Sequence, residues 1–241
     1  MSTQSNTLLS TALETSADQS CSYASYAFFD VDDTLIDVKS MLSFQEFWYA
    51  SRPDNGERER YLREIEQHMH ERASWEVLNR RYYRYFAGRK VAEVEQSARE
   101  WLRLQQKSRD DFFHAGSLAE LRWHQGEGRE PVFVSGSFPA ILQPVAEQLG
   151  VRHMLATRME VAGGIYTGEI LPPQTIGAGK AEAIREFLQH AGGRAEDCYA
   201  YGDDISDLPM LQAVGNPRVV SGGRGLVEHA RELGWPVISP R

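Results

Sequence analysis

The chain has 241 residues, 26 Lys+Arg against 34 Asp+Glu for a formal charge of −8, and 41% hydrophobic residues. That is the make-up of a globular protein long enough for one core plus an insert, and it excludes fibrous, collagen-like and wholly disordered chains. The acidic balance repels phosphate backbones and anionic lipid, and no apolar run approaches the ~20 residues of a bilayer span, so neither nucleic acid nor membrane is an expected partner.

Residues 1–25 are rich in Ser and Thr, with only a weak apolar grouping at Leu8, Leu9 and Leu13, and read as a mobile tail. The first basic residue is Lys39, so the tail lacks the charged start of a secretory or transit sequence, and a cytoplasmic setting is expected. Cys21 and Cys198 show no metal-ligand spacing and read as free thiols. Tyr26-Ala-Phe-Phe29, an apolar run stopped by Asp30-Val-Asp-Asp33, predicts a strand buried on both faces that opens into a loop at its carboxyl end. From 40 to 116 Gly and Pro are sparse and apolar residues recur every three or four positions, as in Trp75, Leu78, Asn79, Tyr82 and in Val91, Val94, Ala98, Trp101, Leu102. This predicts a block of amphipathic helices. Within it, the spacing of Arg80-Arg-Tyr-Tyr-Arg-Tyr-Phe86 sends the aromatics inward and leaves the arginines solvated.

After Gly116 strands and helices alternate. Leu118 to His124 reads as helix, Pro131 to Val134 as a buried strand ending in Ser135-Gly-Ser, and Phe138 to Leu149 as helix. Met154 to Ile170 reads as a hairpin turning at Gly163-Gly164, and Lys180 opens a helix from Ala181 to His190. Cys198 to Tyr201 reads as a strand running into Gly202-Asp-Asp, Asn216-Pro217 as a turn, and Val237-Ile238 as a last strand. The alternation implies an α/β fold with a parallel, doubly wound sheet.

In such a sheet the carboxyl ends of strands share one edge, so Asp30 to Thr34, Ser135-Gly136 and Asp203 to Asp207 can converge. Several carboxylates brought together need either raised pKa values or a cation, and a hard divalent ion with oxygen ligands, magnesium above all, suits them. Magnesium held by carboxylates commonly serves a phosphate substrate.

The ordered set of an apolar strand into DxDxT, a strand into Ser, a later Lys opening a helix and a strand into GDxxxD resembles the haloacid dehalogenase-like hydrolases from Tyr26 onward. The resemblance implies a Rossmann-like core of residues 26–39 and 117–241 and an inserted helical cap of residues 40–116, as in the phosphoserine phosphatase branch. It implies a phosphatase that forms an aspartyl-phosphate on Asp30, with Asp32 as acid and then base, and Lys180 bridging nucleophile and phosphate. Ser135 and the Gly136 amide would bind the phosphoryl oxygens, and Asp30, Asp203 and the Asp32 carbonyl would bind Mg2+. Asp207 would orient Lys180 or a metal-bound water, and Thr34 would fix the aspartate loop.

Lys39 stands where phosphoserine phosphatases carry a Glu for the substrate ammonium, which favours another small phosphorylated metabolite, one with an anionic group facing Lys39. Phosphoserine phosphatase proper, a phosphotransferase or mutase, and a non-catalytic phosphate binder remain the alternatives. Asp33 and Asp204 read as turn and charge-balance residues, Ser137 as a helix cap, and the seven histidines as bystanders.

Overall fold

The computed structural model describes residues 24–53 and 55–241, so the readings of Leu8, Leu9, Leu13 and Cys21 lie outside the described residues. The chain runs through β1 (Tyr26–Phe29), α1 (Ser40–Ala50), α2 (Glu57–His70), α3 (Trp75–Arg84), α4 (Val91–Ser108), α5 (Ala115–Gly126), β2 (Glu130–Ser135) and α6 (Pro139–Leu149). It continues through β3 (His153–Ala156), β4 (Arg158–Ala162), β5 (Ile165–Leu171), α7 (Ala178–Ala191), β6 (Tyr199–Gly202), α8 (Leu208–Leu211), β7 (Asn216–Val220), α9 (Leu226–Leu233) and β8 (Val237–Ile238).

All four residues of β1 are buried because it lies in the middle of a parallel sheet ordered β3-β2-β1-β6-β7-β8. Its side chains alternate between two apolar layers. Ala27 and Phe29 join Phe133, Tyr201 and residues of α1, α4, α5 and α6, whereas Tyr26 and Phe28 join Val132, Val134 and residues of α7, α8 and α9. Helices on both faces make the sheet doubly wound. The strand order reverses between β1 and β6, so the crevice at the switch point opens beside the ends of these two strands.

The helices between β1 and β2 share the first of these layers. Phe138, in the loop after β2, reaches into them, with ring centroids 5.0 Å from Phe86 and 5.7 Å from Tyr83. Tyr82, Tyr83 and Phe86 are buried while Arg80 and Arg84 are exposed, as the helical spacing predicts. Trp75, the first residue of α3, departs from it and is exposed, with the Arg224 guanidinium 5.2 Å from its ring centre. Arg89 is buried between the rings of Trp48 and Phe86, at 4.5 Å from each, and bonded to Gln45 and Glu57.

Other expectations need correction. His153 to Ala156 is an edge strand of the main sheet paired with β2, and the hairpin is confined to β4 and β5. Asn216-Pro217 opens β7 instead of forming a turn. Pro217 is tolerated there because Asn216 N–H already serves the β6 side, at Cys198 O, and β8 pairs only from Val219 onward, so the missing Pro217 N–H faces no strand. Ser137 caps no helix: the N-cap position of α6 is Phe138, which makes no side-chain cap bond, and the Ser137 hydroxyl oxygen instead accepts from Ser40 Oγ at 3.1 Å.

Candidate active site

The crevice is built from the ends of β1, β2 and β6 and the first turn of α7. Asp30 follows β1 directly, and its N–H donates to Tyr201 O on β6 at 2.9 Å, which continues the sheet pairing one residue past the strand. The chain then turns back tightly: Leu35 and Ile36 N–H both donate to Val31 O, and Asp33 takes a positive φ of 61°. That turn places Thr34 beneath the carboxylates. Its hydroxyl donates to Asp203 Oδ1 at 2.8 Å, with Asp30 Oδ2 at 3.4 Å.

Lys180 supplies the buried positive charge. Its Nζ lies 2.7 Å from Asp30 Oδ1 and 2.6 Å from Asp207 Oδ1, and the residue is only 4% exposed. Burial opposes the ammonium, but Asp207 and Asp30 overcome this and raise its pKa. Asp207 Oδ2 accepts the N–H groups of Asp203 and Asp204 at 3.2 and 3.3 Å, so both of its oxygens are engaged. The approach is so close at Gly202 that an added Cβ would stand 2.6 Å from Asp207 Cβ. Gly202→Ala is therefore expected to push Asp207 off Lys180 and lower the melting temperature, by a thermal scan. Unchanged melting would show that the loop relaxes freely around the methyl group.

Asp30, Asp203 and Asp207 offer oxygens that all lie within 4.8 Å of one another. Burial first, then repulsion from Asp30 and from Asp207, pushes the Asp203 carboxyl up, and burial does the same to Asp207. A hard divalent cation fits this oxygen-only donor set and would relieve the repulsion. Asp207 already accepts three donors, two of them backbone N–H groups, so Asp30 and Asp203 have more capacity to spare.

Asp32 lies outside this triad. Its Oδ2 accepts the Ser40 N–H at the start of α1, at 2.9 Å, while its Oδ1 is buried with no partner. Burial pushes its pKa up to about 7, against the bond from Ser40 and aided by the charge of Asp30. A carboxyl poised near neutrality can give a proton and take it back. Ser40 also joins Asp32 to the third element, since its hydroxyl donates to Ser137 Oγ and the Ser137 N–H donates to Ser135 Oγ at 3.0 Å. Ser135 thus accepts from the backbone and keeps its own proton to donate.

Lys39 is half exposed and ion-paired with Asp33 at 2.9 Å. Burial opposes its charge, but Asp33 beside it, with Asp203 and Asp30 farther away, raises its pKa, so its ammonium is felt at the carboxylates. Asp204 accepts from the Ser206 N–H within its own turn and balances the charge of Arg224. Among the histidines, His124 is buried with Nε2 2.9 Å from Tyr201 Oη and a pKa pushed down to about 4 by burial, and His153 pairs with Glu130. Two residues escaped sequence reasoning: Asn79 and Tyr83 of α3 reach the loop after β2 and donate to Gly136 O at 2.9 and 2.7 Å. The available signal was an Asn set within an apolar helical stripe.

The family model described as haloacid dehalogenase-like hydrolase matches residues 27–212. A probable phosphatase of Mycobacterium tuberculosis is 38% identical over 226 residues, covering 88% of this chain and 74% of that protein. Among solved structures, a Bordetella pertussis protein of unknown function superposes with a TM-score of 0.81 at 24% identity, covering 91% of this chain and 100% of that one. A phospho-aspartyl intermediate analogue of phosphoserine phosphatase shares the fold, with a TM-score of 0.61 at 19% identity over 86% of this chain and 90% of that one.

Proposed function

The chain belongs to the haloacid dehalogenase-like hydrolases and is a phosphoric monoester hydrolase, and from that premise we propose that it cleaves a small anionic phosphomonoester by way of an aspartyl-phosphate on Asp30. The observation that carries the reading is the division of labour between two aspartates of one loop. Asp30 is fixed by Lys180 and Thr34, and Asp32 bonds instead to Ser40, half-buried with its Oδ1 shielded and its pKa near 7.

In this reaction an Asp30 oxygen forms a bond to phosphorus as the ester P–O bond breaks, and Asp32 gives its proton to the departing alkoxide. Water then attacks phosphorus, Asp32 takes the water's proton, and Asp30 departs as a carboxylate, leaving inorganic phosphate. Lys180 orients Asp30 and stabilises charge on the transferring group, while Ser135 and the Gly136 amide hold phosphoryl oxygens. Mg2+ bound by Asp30, Asp203 and the Asp32 carbonyl would neutralise phosphoryl charge. Asp207 keeps Lys180 in place. The α1–α4 insertion serves as the cap that excludes water from the crevice. We read the setting as cytoplasmic: no described helix is long and apolar enough to cross a membrane, and the buried Cys198 carries a free thiol.

The preference for an anionic substrate rests on Lys39, whose ammonium can exchange Asp33 for a substrate carboxylate. With Mg2+ present the protein is expected to turn over p-nitrophenyl phosphate, to lose that activity in EDTA, and to favour phosphoglycolate over phosphoethanolamine. Lys39→Glu should reverse the order of kcat/KM for the last two, by about tenfold in each direction. Chelator-resistant turnover would refute the metal requirement, and an unchanged order in the variant would remove Lys39 from substrate selection.

A further inference from the structure

The loop after β2 is held from the cap as well as from the sheet. Gly136 O accepts from Asn79 Nδ2 and from Tyr83 Oη, which occupies both of its lone pairs. The same peptide unit carries the Ser137 N–H, which donates to Ser135 Oγ. A peptide plane gripped at its oxygen cannot rotate, so its N–H cannot leave the serine.

The direction of the Asn79 amide follows from chemistry that starts at an arginine. Arg80 can only donate, and its Nη2 meets Gln174 Oε1 at 3.1 Å. Gln174 therefore turns Nε2 toward Asn79 Oδ1, at 2.8 Å, and toward Glu76 O, at 2.9 Å. With Oδ1 so engaged, Asn79 presents its NH2 group to Gly136. Asn79 is 6% exposed and Tyr83 fully buried, so water does not replace either donor readily.

We propose that Asn79 and Tyr83 are positioning residues for phosphate binding: from α3 they clamp the Gly136 carbonyl, keep the Ser137 amide on Ser135, and so hold the Ser135 proton aimed at the phosphoryl group. The grip on phosphate then depends on a docked cap. The inference rests on the proposed role of Ser135 and extends it to two residues that touch no reacting atom.

The test is a double-mutant cycle read as the dissociation constant of inorganic phosphate, measured by calorimetry with Mg2+ present and alongside p-nitrophenyl phosphate turnover. Asn79→Leu and Tyr83→Phe add no charge that would act on the anion directly. Each is expected to weaken phosphate about tenfold in the native background and by less than about twofold in a Ser135→Ala background. Melting curves identify any variant that has lost its fold, and the other substitution then carries the cycle. Equal weakening in both backgrounds overturns the proposal, because the two residues would then act independently of Ser135. Phosphate binding with the expected coupling but no turnover of any monoester would refute the phosphatase reading and leave the clamp standing.

Discussion

Asp30→Asn is expected to lower turnover by roughly 10⁴-fold or more, because the amide keeps the shape of the side chain but offers no anionic oxygen to attack phosphorus. The fold should survive and even gain. Asp30 is one of three carboxylates around a single buried ammonium, and it helps to raise both Asp203 and Asp207. With Asp30 neutral, Lys180 retains its 2.6 Å contact with Asp207 while the crowding eases. Thermal melting in EDTA should therefore show the variant at or above the melting temperature of the native protein, although turnover is gone. A variant that keeps a tenth of native turnover would place the nucleophile elsewhere.

Lys180→Met should have the opposite effect on stability. It leaves Asp30, Asp203 and Asp207 buried with no cation among them, and removing one partner of a buried ion pair costs roughly 3–5 kcal/mol. The penalty depends on pH with a definite sign. Asp203 and Asp207, already pushed up, rise further, so the folded variant keeps protons that the unfolded chain releases above about pH 4. The variant's own stability should then fall as pH rises from about 4, and because the native Asp203 and Asp207 already hold their protons to about 7 and about 6, the gap to the native protein should open above about pH 6. Urea unfolding with and without Mg2+ reads this directly. The dication should recover much of the stability and little of the turnover, which is expected to fall by about 10²–10³-fold for want of a group on the transferring phosphate. Native stability at pH 7 without metal would show that Lys180 does not compensate the triad.

Both expectations concern residues that sequence patterns pick out. Asp30, Asp203 and Asp207 each follow a short apolar strand or lie in the turn after one, and the strand-end rule brings such residues to one edge without reference to any side-chain contact. The helices between β1 and β2 were equally legible, because a 3.6-residue apolar period with few glycines has few other solutions. Less legible were β3 and β7. A four-residue edge strand such as His153–Ala156 differs from the arm of a hairpin only in its partner, and Asn216-Pro217 has turn composition although its neighbours place it in the sheet. Composition reports what a segment tolerates, whereas pairing depends on which strand lies beside it.

The same distinction runs through the site. The order and spacing of Asp30, Asp32, Ser135, Lys180 and Asp203 carried the family and suggested the proposed chemistry, because strand ends and the helix after them bring such groups to one edge whatever surrounds them. Their states depended on three-dimensional neighbours. Asp32 rises toward 7 because burial, aided by Asp30, outweighs the hydrogen bonding from Ser40 and the charge of Lys39, and Lys39 is paired with Asp33 across a turn with positive φ. Asn79 and Tyr83 reach Gly136 across more than fifty positions of chain. Burial, desolvation and long-range hydrogen bonds arise only when distant segments pack, so the tertiary structure alone decided which of the charged groups are compensated and which side chains hold the loop after β2.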